Sequence, residues 1–384
     1  MLDMRENIVA AGQLLPPVRP PKVAIVHYWL VGVAGGEQVM RSLLNLYPDA
    51  DVFTLIADDE TVKKVIGTKK LVTSFLQRIP GAQKIHRKLL LLMPTALENF
   101  DLSAYDLVIS SESGPAKGVL PALGAKHVCY CHTPMRYIWD QFPEYRRESG
   151  ILVSLLMSMF IGKLRMWDFL SAARVDAFAA NSNHVANRIE QYYRRDATVI
   201  PPPVDVHEFQ IADEVDDYYL IAGRHVAYKR IDLAIAACDR LGKRLIVTGT
   251  GPETAALKRR AGSNVTFVGQ CSFAELKRYY ARARAFLMPG EEDFGITPVE
   301  SMASGRPVLA YARGGALDTV IEGHSGLLFP EQSVDSLCDA ITRFEAIEDS
   351  FDPRAIRAHA VTFARERFEA DFKAFVDSVL TQTT

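Results

Sequence analysis

The residues best suited to chemistry lie between Gly290 and Gly315, in the stretch GEEDFGITPVESMASGRPVLAYARGG. Glu292 precedes a glycine turn, and Glu300 follows eight residues later inside an expected helix. We expect Thr297 to cap this helix and Pro298 to take its first position. The N–H groups and the dipole at a helix start favour an anion such as a phosphate group. The pattern predicts a phosphate site with two acids beside it, and the alternative is a capping box in which Glu300 bonds only the N-cap backbone.

A pair of basic residues follows the strand expected at Tyr218–Ala222. Arg224 comes just after that strand, and Lys229 stands at the start of the next helix. Fixed cations in such a loop stabilise the negative charge that develops on a departing diphosphate. The alternative interpretation is a solvated basic surface.

Two other strand ends carry candidate ligand contacts. Gly35 and Gly36 form a glycine turn after the first strand, where the backbone can approach a ligand closely. The turn does not match G-x-G-x-x-G, although Asp49 and Asp51 leave a dehydrogenase as an alternative. His132 ends another strand and is a candidate catalytic residue, with a purely structural histidine as its alternative.

These motifs resemble those of the retaining family-4 glycosyltransferases, in which an E-x7-E segment and a G-R-x4-K segment hold the donor diphosphate. Glu292 and Glu300 match the first segment, and Arg224 and Lys229 match the second. The catalytic residues that the resemblance implies are Glu292, Arg224, Lys229 and His132. The donor-binding residues that it implies are Gly35, Gly36, Val268, Phe294, Gly295, Ile296, Thr297 and Glu300. Glu292 would contact hydroxyls of the donor sugar, Glu300 the ribose, and Val268 the base.

Three longer segments narrow the resemblance within the family. They are most similar to GDP-mannose-dependent α-mannosyltransferases of xanthan-type and acetan-type exopolysaccharide assembly. Their sequences are VAIVHYWL, CYCHTPMRYIWD and EEDFGITPVE. The resemblance implies retaining transfer of mannose from GDP-mannose to a polyprenyl-diphosphate-linked oligosaccharide, without a metal ion or other cofactor. Arg136, Tyr137 and Trp139 would form the acceptor platform, unless their aromatic rings only pack beneath the loop.

Several other functions are compatible with most of these motifs. Another donor such as UDP-glucose would use the same site, and a sugar-nucleotide epimerase would share the two-domain plan. A non-catalytic scaffold could bind a sugar nucleotide without turning it over. A two-carboxylate glycosidase is less compatible, because Glu300 sits at a helix start beside phosphate donors.

The elements that must position these residues alternate between short β-branched runs and amphipathic stretches, which indicates βαβ units. We predict an α/β protein of the GT-B type, with two doubly wound Rossmann-like domains whose parallel sheets face a central cleft. The expected parts are a leader at residues 1–20, an acceptor-side domain at 21–200, a donor-side domain at 205–365 and a helix at 366–384 that crosses back. Six strands are expected in each domain, and the proline-rich segment Pro201–Asp205 is expected to link them.

Composition excludes several classes of protein. The 384 residues are 48% apolar and 23% charged with a net charge of −2, which argues against a bulk nucleic-acid binder. Five cysteines suit a reducing cytoplasm. Cys129, Cys131 and His132 lack a second ligand pair for zinc. No apolar run reaches the roughly 20 residues that a membrane-spanning helix needs, so we expect a soluble or peripheral protein.

The segment from Lys69 to Pro94, here called the basic segment, contains cations and no acidic residue. It also carries short apolar pieces that could enter a lipid headgroup layer. We therefore predict peripheral attachment to the anionic inner face of the cell membrane, where a lipid-linked acceptor would lie. The alternative is a basic helix packed on the sheet. The expected contact residues are Lys69, Lys70, Arg78, Lys84, Arg87 and Lys88.

Overall fold

Two parallel β-sheets form the framework of the chain in the computed structural model, which describes residues 19–32, 35–142, 146 and 151–381. The first sheet has the order β3-β2-β1-β4-β5-β6-β7, and the second has the order β10-β9-β8-β11-β12-β13. All recorded strand pairs are parallel. The strands are β1 Val23–His27, β2 Asp51–Thr54, β3 Leu71–Thr73, β4 Leu107–Glu112, β5 Lys126–Cys131, β6 Ala177–Ala180, β7 Ala197–Val199, β8 Tyr219–Ala222, β9 Leu245–Thr248, β10 Val265–Gly269, β11 Ala285–Met288, β12 Val308–Tyr311 and β13 Gly326–Phe329.

Helices connect successive strands and cover the sheets. They are α1 Gly35–Leu46, α2 Asp59–Val65, α3 Ala82–Ile85, α4 Met93–Glu98, α5 Ile151–Ala172, α6 Asn183–Tyr193, α7 Ile231–Leu241, α8 Thr254–Arg260, α9 Phe273–Arg282, α10 Ile296–Ala303, α11 Ala316–Thr319, α12 Val334–Ile347, α13 Pro353–Val361 and α14 Arg365–Thr381. Short 3-10 helices occur at Phe75–Arg78, His86–Leu92, Ala116–Gly118, Val206–Glu208, Ala227–Lys229 and Glu348–Ser350.

The predicted pair of doubly wound domains is confirmed, because each sheet has its first strand in the middle and winds outward in both directions. The strands fold this way because β1 and β4 are buried along their whole length, as parallel strands covered on both faces must be. The order reverses between β1 and β4 in one sheet and between β8 and β11 in the other. Ligands of such sheets bind beyond the carboxyl ends of the strands at these two reversal points.

The expectation of six strands in the first domain is wrong, because β3 adds a seventh. This strand is only three residues long, half-buried and placed at the sheet edge beside β2. It lies inside the basic segment, directly after Lys69 and Lys70. A short edge strand of this kind carries too few alternating residues to stand out in a sequence.

The last helix, α14, packs against the first domain although the chain enters it from the second. Phe368, Phe372, Val376 and Val379 are buried in the same apolar cluster as strand residues of β1, β2 and β4. The rings of Phe368 and Phe372 stack on each other and meet the Tyr130 ring edge-on. The expected leader at 1–20 lies outside the described residues except for its last two positions.

Candidate functional site

The acidic loop Gly290–Gly295 begins two residues after β11 and ends where α10 starts. The loop is held by the backbone of Gly315, the residue before α11. The N–H group of Gly315 donates to the carbonyl oxygen of Glu292 at 2.8 Å. Phe294 is buried in the core of the second domain, where it anchors the loop. The loop is therefore held at Glu292 and Phe294, and it presents its carboxylates at the reversal point of the second sheet.

The start of α10 differs from the sequence expectation. Gly295 is the N-cap residue with φ of 89° and no side chain caps the helix, so the prediction that Thr297 caps it is wrong. A left-handed backbone at that position favours glycine, and α10 begins at Ile296. Thr297 lies inside the first turn, and Pro298 occupies the third helical position rather than the first. No side chain caps the N–H groups of Gly295, Ile296 and Thr297 at the helix start, which is compatible with an anion site.

Lys229 and Glu292 form the closest pair of opposite charges in the candidate site. The Lys229 Nζ atom lies 2.5 Å from the Glu292 Oε1 atom. Lys229 ends the 3-10 helix after β8, while Glu292 follows β11, so the two neighbouring strands bring the pair together. Burial lowers the pKa of Lys229, but the attraction of Glu292 outweighs it and the net shift is upward. Lys229 is therefore a firmly charged cation beside the start of α10.

Glu300 lies in the second turn of α10 and accepts a hydrogen bond from the Tyr280 hydroxyl at 2.9 Å. This contact replaces the capping-box alternative, which is wrong. Burial raises the pKa of Glu300 to about 7, although the bond from Tyr280 acts in the opposite direction. Lys229 also lies within electrostatic reach of Glu300. The two carboxylates of the E-x7-E segment thus share one cation.

Two predicted donor-side residues stand apart from this pair. Arg224 is exposed in the loop that follows β8 and makes no ion pair with Glu292 or Glu300 within the described part of the chain. Val268 is half-buried near the end of the edge strand β10. Both lie at the carboxyl side of the second sheet.

The glycine turn of the first domain faces the second domain. A Cβ atom on Gly35 would lie 2.9 Å from the Cδ1 atom of Ile296. The starts of α1 and α10 therefore approach each other across the two domains. Gly36 lies against the Tyr28 hydroxyl, where a Cβ atom would be 2.6 Å away.

His132 ends a chain of buried polar contacts at the reversal point of the first sheet. Its Nε2 atom lies 3.0 Å from the Ser111 hydroxyl, which lies 3.2 Å from the Nδ1 atom of His27. The Nε2 atom of His27 is in turn 3.7 Å from a carboxylate oxygen of Glu37 in α1. Burial, followed by the neighbouring His27, lowers the pKa of His132 to about 3. His132 is therefore a neutral imidazole with a fixed orientation.

The loop after His132 carries the three candidate acceptor residues. Arg136 pairs with Asp140 at 3.4 Å and with Asp293 of the other domain at 3.6 Å. Tyr137 is half-buried against the apolar cluster around Met135, Ile138 and Leu164. The Trp139 ring stacks on Tyr192, and its Nε1 atom donates to Asp168 at 2.8 Å. Trp139 therefore holds the loop on α5, whereas Arg136 faces the cleft.

Asp293 joins the two domains at the candidate site. Its carboxylate accepts a hydrogen bond from the Thr133 hydroxyl at 3.2 Å, and its backbone carbonyl accepts one from Ser182 at 2.5 Å. His184 at the start of α6 lies 3.9 Å from the same carboxylate. The loop that carries Glu292 is thus docked on the loop that follows His132, which places the two catalytic candidates on facing walls.

The basic segment is not a single helix, so the alternative of one basic helix is wrong. Lys70 pairs with Asp51 at 2.8 Å, and Lys69 donates to the carbonyl oxygen of Pro48, which ties both to the first domain. The remaining predicted membrane contacts are exposed. They are Arg78, Lys84, Arg87 and Lys88.

Sequence reasoning missed several residues that shape the site. His27 and Ser111 are polar, lie near the carboxyl ends of buried parallel strands and are fully buried, and their place after an apolar run is a signal that could have found them. Tyr280 and Asp293 gave no such signal, because their partners come from distant parts of the chain. Within the described ranges, no group of three or more His, Cys, Asp or Glu side chains is arranged to hold a metal ion. In the same ranges, no helix has both the length and the apolar character required to cross a bilayer.

Two domain families match the sequence, one for each half of the fold. Residues 33–208 match the family described as Glycosyltransferase Family 4. Residues 205–361 match the family described as Glycosyl transferases group 1. The two matches meet at the proline-rich segment between the sheets.

Curated relatives align with part of the chain. It is 27% identical over 216 residues to a GDP-mannose-dependent alpha-(1-6)-phosphatidylinositol monomannoside mannosyltransferase of Mycobacterium tuberculosis, covering 46% of this chain and 56% of the relative. It is 32% identical over 200 residues to a D-inositol 3-phosphate glycosyltransferase of Kribbella flavida, covering 43% and 47%. The chain spans about half the length of these relatives.

Solved structures share the whole fold. A sucrose-phosphate synthase from Thermosynechococcus elongatus superposes with a TM-score of 0.69 at 18% identity, covering 94% of this chain and all 100% of the other. Anabaena Alr3699/HepE in complex with UDP-glucose gives a TM-score of 0.69 at 16% identity, with coverages of 94% and 100%. At such identities the likeness shows the fold alone. The two domain matches add that residues 33–208 and residues 205–361 are each similar to a family of glycosyltransferase domains.

Proposed function

We propose that this protein is a retaining α-mannosyltransferase that moves mannose from GDP-mannose to a polyprenyl-diphosphate-linked oligosaccharide during exopolysaccharide synthesis. The observation that carries the transferase part is the Lys229–Glu292 pair at the start of α10. A cation, a carboxylate and helix N–H groups that no side chain caps lie there at the reversal point of a parallel sheet. This combination suits a sugar diphosphate, whose phosphates need cations and whose hydroxyls need a carboxylate.

In the proposed reaction, the bond between the sugar C1 atom and the diphosphate oxygen breaks first. Lys229 and the N–H groups at the start of α10 stabilise the charge that develops on the departing diphosphate. Arg224 is exposed in the loop that follows β8, and it supplies a second cation when the donor is bound. The acceptor oxygen then bonds to C1 on the same face, and its proton passes to the leaving phosphate.

The two carboxylates and His132 have distinct roles in this proposal. Glu292 accepts hydrogen bonds from donor-sugar hydroxyls, and Glu300 accepts them from the ribose. His132, a neutral imidazole on the facing wall, contacts the transferred sugar. Gly35 and Gly36 bring the start of α1 to the phosphates, and Val268 contacts the base.

The choice of donor and acceptor is supported by likeness and by charge. The Mycobacterium tuberculosis relative is named as GDP-mannose-dependent. The exposed cations of the basic segment suit an anionic membrane surface, where a lipid-linked acceptor is found. Arg136 and Tyr137 contact the acceptor, while Trp139 supports their loop. We further propose that transfer needs no metal ion, since Lys229 and Arg224 supply the countercharge.

A donor panel tests this proposal. The protein is incubated with labelled GDP-mannose, UDP-glucose and other sugar nucleotides, with and without a lipid-diphosphate oligosaccharide extract. We expect nucleotide release and a labelled lipid product from GDP-mannose alone, with the α configuration retained and with no loss of rate in EDTA. Glu292→Gln is the inactive control.

Each other outcome of the panel contradicts a defined part of the proposal. UDP-glucose as the preferred donor would replace GDP-mannose, an outcome that the UDP-glucose complex of a structural neighbour makes worth testing. A new sugar nucleotide formed without acceptor would indicate an epimerase. Binding without turnover of any donor would indicate a scaffold.

A further inference from the structure

A row of large apolar side chains is exposed along one face of α5. Leu155, Met159, Met166, Phe169 and Leu170 are between 42% and 66% exposed. Their spacing of three, four or seven residues puts them on one side of a helix. We call these five residues the outer apolar row. Contiguous exposed apolar surface of this kind marks an interaction site more often than chance.

The inner face of α5 is also apolar, because it packs in the first domain. Leu164 is buried beside Met135 and Ile138 of the loop that follows His132. A row of exposed apolar side chains on a helix whose opposite face is already packed forms a second apolar face, which is normally covered as well. The outer apolar row therefore needs an apolar environment that the described part of the chain does not provide.

The charges around the outer apolar row select its partner. Lys163 is exposed between Met159 and Met166, and the acidic residue of α5, Asp168, is fully buried. Arg165 is engaged with the carbonyl oxygen of Ile138 at 2.7 Å. The exposed charge on α5 is thus positive, which opposes contact with another basic surface and favours an anionic one.

The basic segment adjoins α5 on its inner side and carries exposed apolar side chains of its own. Leu90 packs against the cluster that contains Leu164 of α5, and the next residues, Leu91 and Leu92, are exposed. Arg87 and Lys88 precede them and are exposed as well. Apolar side chains flanked by cations on two adjoining elements have the composition of an interfacial membrane surface.

The same helix holds the loop on which the acceptor is proposed to bind. Asp168 accepts hydrogen bonds from Trp139 at 2.8 Å and from Tyr193 at 2.9 Å. Asp168 also pairs with Lys117, which lies 2.9 Å from Glu112 of β4. This buried network joins α5 rigidly to the strand that ends beside His132.

We propose that α5 lies on an anionic lipid bilayer, with the outer apolar row in the boundary between headgroups and acyl chains. The helix would then connect the bilayer directly to the acceptor loop on its other face. This inference rests on the proposed function only in taking the acceptor to be lipid-linked. A second copy of this chain is disfavoured as the partner, since two such surfaces would bring like charges together.

The test is co-sedimentation of the full chain with vesicles of phosphatidylglycerol and phosphatidylcholine. We expect the triple variant Met159→Asn, Met166→Asn, Leu170→Asn to bind roughly tenfold more weakly than the unaltered protein. The control variant Ile347→Asn, Val361→Asn removes apolar side chains that are 41% and 39% exposed on the second domain, and it should bind unchanged. Thermal melts check that each variant is folded.

Three results would overturn the proposal. They are vesicle binding by the triple variant equal to that of the unaltered protein, no vesicle binding by the unaltered protein, and a dimer that the triple variant dissociates. Donor hydrolysis in the same preparations separates this proposal from the function. Loss of vesicle binding by the triple variant with normal donor turnover supports the role of α5. Normal vesicle binding by the unaltered protein with no turnover of any donor refutes the proposed function but does not contradict the membrane contact of α5.

Discussion

Replacing Lys229 with methionine should nearly abolish sugar transfer while the fold survives. Methionine keeps most of the aliphatic stem and removes the charge. At an effective dielectric constant of about 20, unit charges about 4 Å apart attract by about 4 kcal/mol. Lys229 already attracts Glu292 at 2.5 Å, so only the part of the attraction that grows as the diphosphate departs assists the reaction. We expect a loss of about 3 kcal/mol, or a fall in kcat of about 10²-fold.

The assay is the formation of GDP from GDP-mannose in quenched single-turnover reactions, which follows the chemical step without product release. A second Lys–Glu pair in the same domain provides a matched control. Lys243 Nζ lies 2.7 Å from Glu345 Oε2, and these side chains are 30% and 23% exposed, against 13% and 20% for Lys229 and Glu292. Lys243→Met removes the same charge away from the site and should change kcat by less than about twofold. Equal rates for Lys229→Met and Lys243→Met would refute the assignment.

Three other changes test different parts of the structure. Ionised Glu300 is the form that accepts from ribose hydroxyls, so the KM for GDP-mannose should fall as pH rises through about 7, the raised pKa of that carboxyl. Tyr280→Phe removes the bond that lowers this pKa and should move the midpoint up by about one pH unit; an unmoved midpoint contradicts the pairing. Ser111→Ala frees the imidazole at the end of β5 and should lower kcat about tenfold with little effect on KM, whereas Ser110→Ala, which loses a bond to a different histidine, serves as control. Phe372→Ala should cost about 3 to 5 kcal/mol of unfolding free energy in urea titrations, because its ring is fully buried in the first domain; a loss below about 1 kcal/mol would contradict that packing.

The fold was largely predictable because parallel strands buried on both faces leave strong local signals. The strand expected at Tyr218–Ala222 is observed at Tyr219–Ala222. The strand Leu71–Thr73 was missed because its stability comes from pairing with β2 rather than from its own sequence. Thr297 was misassigned because the cap depends on the left-handed backbone of Gly295, which a sequence pattern does not reveal.

The candidate site was predictable only where its parts are close in sequence. Glu292 and Glu300 are joined by a single turn and helix, so their spacing carries the geometry. The contact between Ser111 and His132 requires two adjacent strands, and the docking of Asp293 on Thr133 requires two domains. Such contacts follow from tertiary packing and leave little trace in local residue patterns.

The return of α14 to the first domain also governs how the polypeptide matures. Phe368, Phe372 and Val379 complete a core whose strands emerge from the ribosome much earlier. Until those residues have been synthesised, the sheet of the first domain exposes an apolar face, which makes the folding intermediate prone to aggregation. The first domain expressed without the second should therefore be poorly soluble, because it lacks α14. Adding an α14 peptide in trans should restore its solubility.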